Sequence, residues 1–289
     1  MNLVLINKNG KELNLLNHKD KFILTGAESL HGVDVDIGTS ESPYTDGAKV
    51  ESVKALPRGI ELDFILCGDV EESINFFTSV VKSKQMVTLK EESSKGEIAV
   101  KGVASIPPYS RMMQSCRLTL SIYCGQPYWE DLVQMGAEIA EAIGLLCFPV
   151  EGQYFTETGR PFGVLDTDFE RTFVNDGDTD VGMIITINTY GEVKSPRISC
   201  SSGSQNGWWM QLNATLGNDD EVEISTVRGN KYITINGSEL YNGEPVTNLL
   251  EFNGNDWLQL EQGENTFNIT AESGIKNLHY SIGYKRRFE

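Results

Sequence analysis

Three histidines, His18, His31 and His279, are the only imidazoles in 289 residues, and none sits in a pattern that makes a catalytic base. Ser29 and His31 share a segment, but alternate residues of a strand do not bring a hydroxyl onto an imidazole, and no GxSxG elbow occurs. The 41 acidic residues make close carboxylate pairs inevitable. Asp34/Asp36 and Asp166/Asp168 fall two apart, which reads as solvated strand or loop faces; glycoside hydrolysis needs two carboxylates set across a cleft. The run Asn175-Asp176-Gly177-Asp178-Thr179-Asp180 is rich in oxygen donors. An EF-hand counted from Asp176 would need Gly and Glu where Val181 and Ile187 stand, so a tight turn ahead of a strand is the better reading; a structural calcium ion on an irregular loop stays open. Five cysteines (Cys67, Cys116, Cys124, Cys147, Cys200) are spread without a CxxC pair, which removes zinc spacing and favours buried reduced thiols. GxGxxG and P-loop patterns are missing. The expectation is a protein with no catalytic residue, no metal site and no cofactor.

What remains is surface chemistry. In a strand, one of two neighbouring residues points outward. Trp208 is in phase with Met210 and Leu212 and should face a core, leaving Trp209 outside with Gln211 and Asn213. An exposed indole can stack on a sugar ring, so Trp209 and Tyr241 are candidate glycan or partner contacts; packing against a loop or a neighbouring subunit is the favoured reading of Trp209. The segment 38–49, GTSESPYTDGAK, is the candidate interface loop: its Gly, Pro and Asp mark turns while Tyr44 supplies an apolar anchor beside Asp46. The net charge of −17, with both halves of the chain acidic, argues against stable nucleic-acid binding, which needs clustered Lys and Arg; an acidic surface facing passing DNA would repel it. No apolar run approaches the ~18 residues of a membrane span. The opening MNLVLINKNG lacks the basic region of a signal peptide. A soluble protein without membrane contact is expected.

The elements that must position these residues are mostly strands. Ile60, Leu62, Phe64 and Leu66 alternate with Glu61 and Asp63, a half-buried strand. A helix follows: Asp69 can cap it with Glu72 three residues on, and Val70, Ile74, Phe77 and Val81 make one apolar stripe. Val70, Ile74 and Phe77 are further interface candidates. Strands resume at 86–90, 97–106 and 116–124. Residues 130–143 show a second helical stripe through Leu132, Met135, Ile139 and Ile143, ended by Gly144, and the Pro- and Gly-rich stretch beyond reads as a connector. The boundary falls near 145, giving an N-terminal domain 1–145 and a C-terminal domain 146–289. In the latter, eight short strands separated by turns predict a β-sandwich or jelly roll. Its clearest stretches are EVEISTVRGNKYITINGS (221–238), with reversals at Gly-Asn and Asn236-Gly237, and DWLQLEQGENTFNIT (256–270).

Together with DIGTSESPYTDGAKVESVKALPRGIELDFIL (36–66), the Gln126-Pro127-Tyr128-Trp129 that closes the last N-terminal strand, NDGDTDVGMIITINTYGEVKSPRI (175–198) and NGWWMQL (206–212), these stretches resemble the siphophage distal tail protein (Dit) family in order and spacing. The resemblance implies a mainly β, non-enzymatic structural protein of the virion tail tip. Its N-terminal domains would form a six-subunit ring around an open channel, joining the tail tube to the tail-associated hub protein. Its C-terminal domain would be a galectin-like or carbohydrate-module-like sandwich that in some phages anchors receptor-binding proteins. The galectin sugar signature of His-Asn-Pro-Arg with a later Trp-Gly is missing, so shape does not carry sugar binding with it. The alternative is a carbohydrate-binding module of a surface assembly. This chain departs from compact members of the family at 130–165 and in its basic Lys285-Arg286-Arg287.

Overall fold

The computed structural model describes all residues except 1, 19, 45, 108–116, 139–141, 145–162 and 166–168. It is built almost entirely of strands and divides into two compact units, Met1–Val133 with Arg287–Glu289, and Gln134–Arg286. The chain therefore passes from one unit to the other between Val133 and Gln134, where the sequence reading placed the division near 145, and it returns after Arg286.

The first unit contains β1 (Asn2–Asn7), β2 (Glu12–Asn14), β3 (Phe22–Glu28), β4 (Val35–Glu41), β5 (Ala48–Ala55), β6 (Arg58–Leu66), α1 (Val70–Val80), β7 (Met86–Ser93), β8 (Gly96–Ser105), β9 (Arg117–Cys124) and β10 (Trp129–Asp131). Its main sheet runs β2-β1-β7-β8-β9-β6-β3. The alternation in β6 positions that strand: Ile60, Leu62 and Phe64 are buried and face Ile122, Leu120 and Leu118 of β9. Gly102 lies where β8 presses on β9. A Cβ there would meet Ile122, the Tyr123 carbonyl and the Cys124 sulfur at 2.6 to 2.8 Å, so only glycine fits.

Helix α1 begins as its sequence predicts. The Asp69 carboxylate accepts from the backbone N–H of Glu71 and Glu72 at 2.9 and 3.1 Å, satisfying two donors that the first turn leaves open. Glu72 does not close a capping box; its carboxylate pairs with Lys21 at 2.8 Å. The apolar stripe packs on the sheet, with Phe77 edge-on to Phe22 and Phe64 at 5.7 and 5.2 Å between ring centres.

The helix predicted over 130–143 is not formed among the described residues. Trp129–Asp131 is β10, paired with β8, and Met135–Glu138 and Ala142–Gly144 are strands β11 and β12. The stripe through Leu132 and Met135 suits a helix, yet the backbone groups of β11 are met by a ladder to a distant strand, Met135↔Tyr284 through Glu138↔Ser281. Tertiary pairing outweighs local propensity. Residues 139–141 lie outside the described residues.

The second unit continues with β13 (Gly163–Leu165), β14 (Glu170–Asn175), β15 (Met183–Lys194), β16 (Arg197–Cys200), β17 (Trp209–Leu212), β18 (Thr215–Ser225), β19 (Tyr232–Ile235), β20 (Leu240–Tyr241), β21 (Glu244–Pro245), β22 (Leu250–Phe252), β23 (Gly263–Thr270) and β24 (Leu278–Tyr284). Two five-stranded sheets, β11-β24-β15-β18-β19 and β14-β23-β16-β17-β22, make a sandwich. Ile185, Ile187, Val222, Ile224 and Tyr280 of one sheet share a core with Ile198, Met210, Leu212, Phe267 and Ile269 of the other. Asn236 and Gly237 both have positive φ, 52° and 71°, the two-residue turn that matches strand twist. The expected mainly β fold with one packed helix and a C-terminal sandwich is the fold found.

A last strand, β25 (Arg287–Phe288), rejoins the first unit. Phe288 pairs with Trp129 and Arg287 with Glu130 of β10.

Candidate assembly site

Strands β4 and β5 form a two-stranded sheet of their own. Their register is Val35↔Ala55, Asp36↔Lys54, Ile37↔Val53 and Gly38↔Ser52, followed by a bulge before Thr39↔Val50. Because cross-strand partners share a face, Val35, Ile37, Val53 and Ala55 line one side of the ribbon, and Asp36, Lys54 and Ser52 the other. Val35, Ile37 and Val53 are 51%, 51% and 63% exposed. An isolated two-stranded ribbon is at best marginally stable in water. This one carries an apolar face that the described residues of its own chain leave uncovered.

The base of the ribbon is held firmly. The buried Arg58 guanidinium donates to the Leu30 carbonyl at 2.8 Å, and the indole N–H of Trp129 donates to the same oxygen at 2.8 Å. The Leu56 N–H donates to the Asp34 carbonyl at 2.8 Å. The side chain of His31, stacked on Trp129 with ring centres 6.0 Å apart, brings Nε2 to 3.4 Å from the carboxylate of buried Glu91. Burial pulls the Arg58 pKa below its ordinary value, with Cys124, Glu289 and Asp34 opposing. Sequence reading missed this clamp because none of its members carries a local signal; they meet from four distant segments.

Tyr44 stands at the ribbon's tip, 93% exposed, and Asp46 lies in the same reversal, also exposed. The segment 38–49 is therefore less a loop than the far half of a hairpin, with strand structure through Glu41 and again from Ala48. The helix candidates lie elsewhere. Ile74 and Phe77 are 1% and 0% exposed and belong to the core of the first unit, so neither presents itself to another chain; the reading of them as contacts is corrected. Val70 is half-buried at the start of α1. The helical stripe that suggested an interface is the stripe that the fold itself needs.

On the second unit, Trp209 is half-buried on the outer side of β17 as alternation predicts, but the Arg197 guanidinium lies 4.2 Å over its ring and is fixed there by a 2.7 Å bond to Gln211. Tyr241 sits on the β20–β21 hairpin, packs on the core and donates its hydroxyl to the Thr215 carbonyl at 2.7 Å. The two lie in different sheets. The Asn175–Asp180 run is a turn. The Asn175 side chain donates to the Thr179 carbonyl at 2.9 Å and accepts from the Gly177 N–H at 3.1 Å, and Asp176 pairs with Arg286 at 2.8 Å. Among the described residues, no group of three or more His, Cys, Asp or Glu side chains is placed to hold a metal ion, and no helix is long and apolar enough to cross a membrane.

Comparison with known proteins gives this architecture its relatives. Residues 176–288 match the family model described as siphovirus-type tail component, C-terminal domain. No curated protein matches the chain. Among solved structures, the Dit protein of phage SPP1, described as a paradigm of the hub adsorption apparatus in phages infecting Gram-positive hosts, is 13% identical; the match covers 99% of both chains with a TM-score of 0.61. A chain of the phage P2 baseplate in its activated conformation with calcium is 12% identical, covering 99% of this chain and 97% of that one with a TM-score of 0.47. Residues 176–288 thus match a siphovirus-type tail component domain, and the chain shares its fold with the SPP1 Dit protein along its length.

Proposed function

We propose that the protein is a structural, non-enzymatic part of a phage tail tip whose first unit assembles side by side with copies of itself into a closed ring of six. The observation that carries this reading is the β4–β5 ribbon, anchored at its base by Arg58 and Trp129 and bearing an uncovered apolar face of Val35, Ile37 and Val53. A ribbon on one copy that docks on a different surface of the next makes a heterologous contact, and such contacts generate rings when the rotation closes. The bore of that ring passes DNA, and its rims meet the tail tube on one side and the tail-associated hub protein on the other. The C-terminal sandwich serves as the attachment point for receptor-binding protein. Placement at the virion tail tip, after assembly in the bacterial cytoplasm, follows from that role.

Size-exclusion chromatography with light scattering tests it on the full chain. The protein is expected to assemble with rising concentration, and the double variant Ile37→Asp/Val53→Asp to stay monomeric with an unchanged melting temperature. Assembly that the double variant leaves untouched would remove the ribbon from the interface.

A further inference from the structure

One edge of β10 receives the chain's own last strand, β25. Its opposite edge is already paired with β8, Glu130↔Ala99 and Asp131↔Ile98. Trp129, 0% exposed with Phe288 beside it, donates its indole N–H to the Leu30 carbonyl, a bond that does not involve the docked strand. On this edge Arg287 and Phe288 are bound by three independent kinds of recognition. The backbone pairs through Trp129↔Phe288 and Glu130↔Arg287. The Phe288 ring is 2% exposed, with the Lys95 ammonium 4.6 Å from its centre. The Arg287 Nε–H donates to the Glu130 carboxylate at 2.9 Å, and the Gln126 amide oxygen, in the orientation that satisfies both groups, accepts from the same guanidinium at 2.9 Å. Strand addition supplemented by side-chain pockets is a recurring mode of peptide binding, and arginine and aromatic anchors dominate the energetics of such contacts.

We infer that the β10 edge, with Gln126, Trp129, Glu130 and Lys95, is a strand-docking groove selective for a basic–aromatic pair, and that the 287–289 segment of a second copy of this chain fits it as the chain's own segment does. Only two residue pairs of ladder hold the resident strand, and every copy carries both groove and segment. An exchanged arrangement would therefore make the same contacts, which is what makes strand exchange between identical chains cheap. The inference does not depend on the ring.

The test uses the full chain with its own segment disabled, Arg287→Glu/Phe288→Ala, and a fluorescent peptide of residues 285–289 followed by anisotropy. The disabled chain should bind the peptide saturably, about tenfold or more tighter than a scrambled peptide of the same composition. The intact chain should bind it about tenfold more weakly or worse, its groove being filled. Equal binding by the two chains, or by the two peptides, overturns the groove. If the disabled chain does not fold, charge exchange decides: Glu130→Arg should lower the melting temperature, and Glu130→Arg/Arg287→Glu should restore it. Failure of that rescue overturns the pairing on which selectivity rests.

Discussion

Trp129 and Phe288, 159 positions apart in the chain, are direct cross-strand partners in the first unit, 0% and 2% exposed. Everything from Gln134 to Arg286 is thus an insertion between two paired strands of one sheet. Phe288→Ala removes a core aromatic of the first unit although it lies after the second. A loss of about 3–5 kcal/mol is expected, as for other buried Phe→Ala changes. Hydrogen exchange should report it in the amides of β8 and β9, while those of β15 and β18 keep their protection. Equal loss of protection in both units would mean that they do not unfold separately.

Burial separates core from surface among the residues that sequence patterns alone group together. Ile74→Ala should cost about 2–5 kcal/mol of stability, whereas Tyr44→Ala, at a 93% exposed site, should leave the unfolding free energy within about 0.5 kcal/mol of the parent. Paired chemical denaturation curves check both. A Tyr44→Ala variant that loses stability as Ile74→Ala does would show the ribbon tip to be folded onto its own chain.

Cys124 gives the protein a pH limit on the alkaline side. Burial raises its thiol pKa from 9.0 to about 11, with the Arg58 guanidinium pulling the other way. A thiol whose pKa is raised by folding contributes its full stabilisation below the unfolded value, and that contribution is lost as pH rises from about 9 through about 11. Cys124→Ala should flatten the fall of stability across that window. Alkylation at pH 8, mapped by mass spectrometry, should modify half-exposed Cys67 well before Cys124. An identical alkaline slope in parent and variant would assign the fall to other groups.

Much of this fold could be read from the residues, and the failures have a common cause. Period-2 alternation gave β6 through Ile60 and Leu66, and the cap at Asp69 gave α1. The Asn236-Gly237 reversal was legible because positive φ at both positions demands those residue types; Gly237→Ala should accordingly cost about 1 kcal/mol or more, seen as a lower melting temperature of the full chain. What could not be read was non-local. The 130–143 stripe was misassigned because its β11 segment pairs with residues more than 140 positions away. Lys285-Arg286-Arg287 stood out only as basic, since nothing local shows that Glu130 pairs with Arg287 and Trp129 with Phe288. At the candidate site, Tyr44 and Asp46 stood out by composition. The ribbon's apolar face was hidden, because Val35, Ile37 and Val53 look like any half-buried strand until their exposure among the described residues is seen.

Native mass spectrometry of the full chain over a range of concentrations bears most directly on the central claim that the first unit assembles with copies of itself. A hexamer that gains population with concentration and disappears in Ile37→Asp/Val53→Asp is the predicted result. A closed dimer, or a hexamer that the double variant forms equally well, would contradict it.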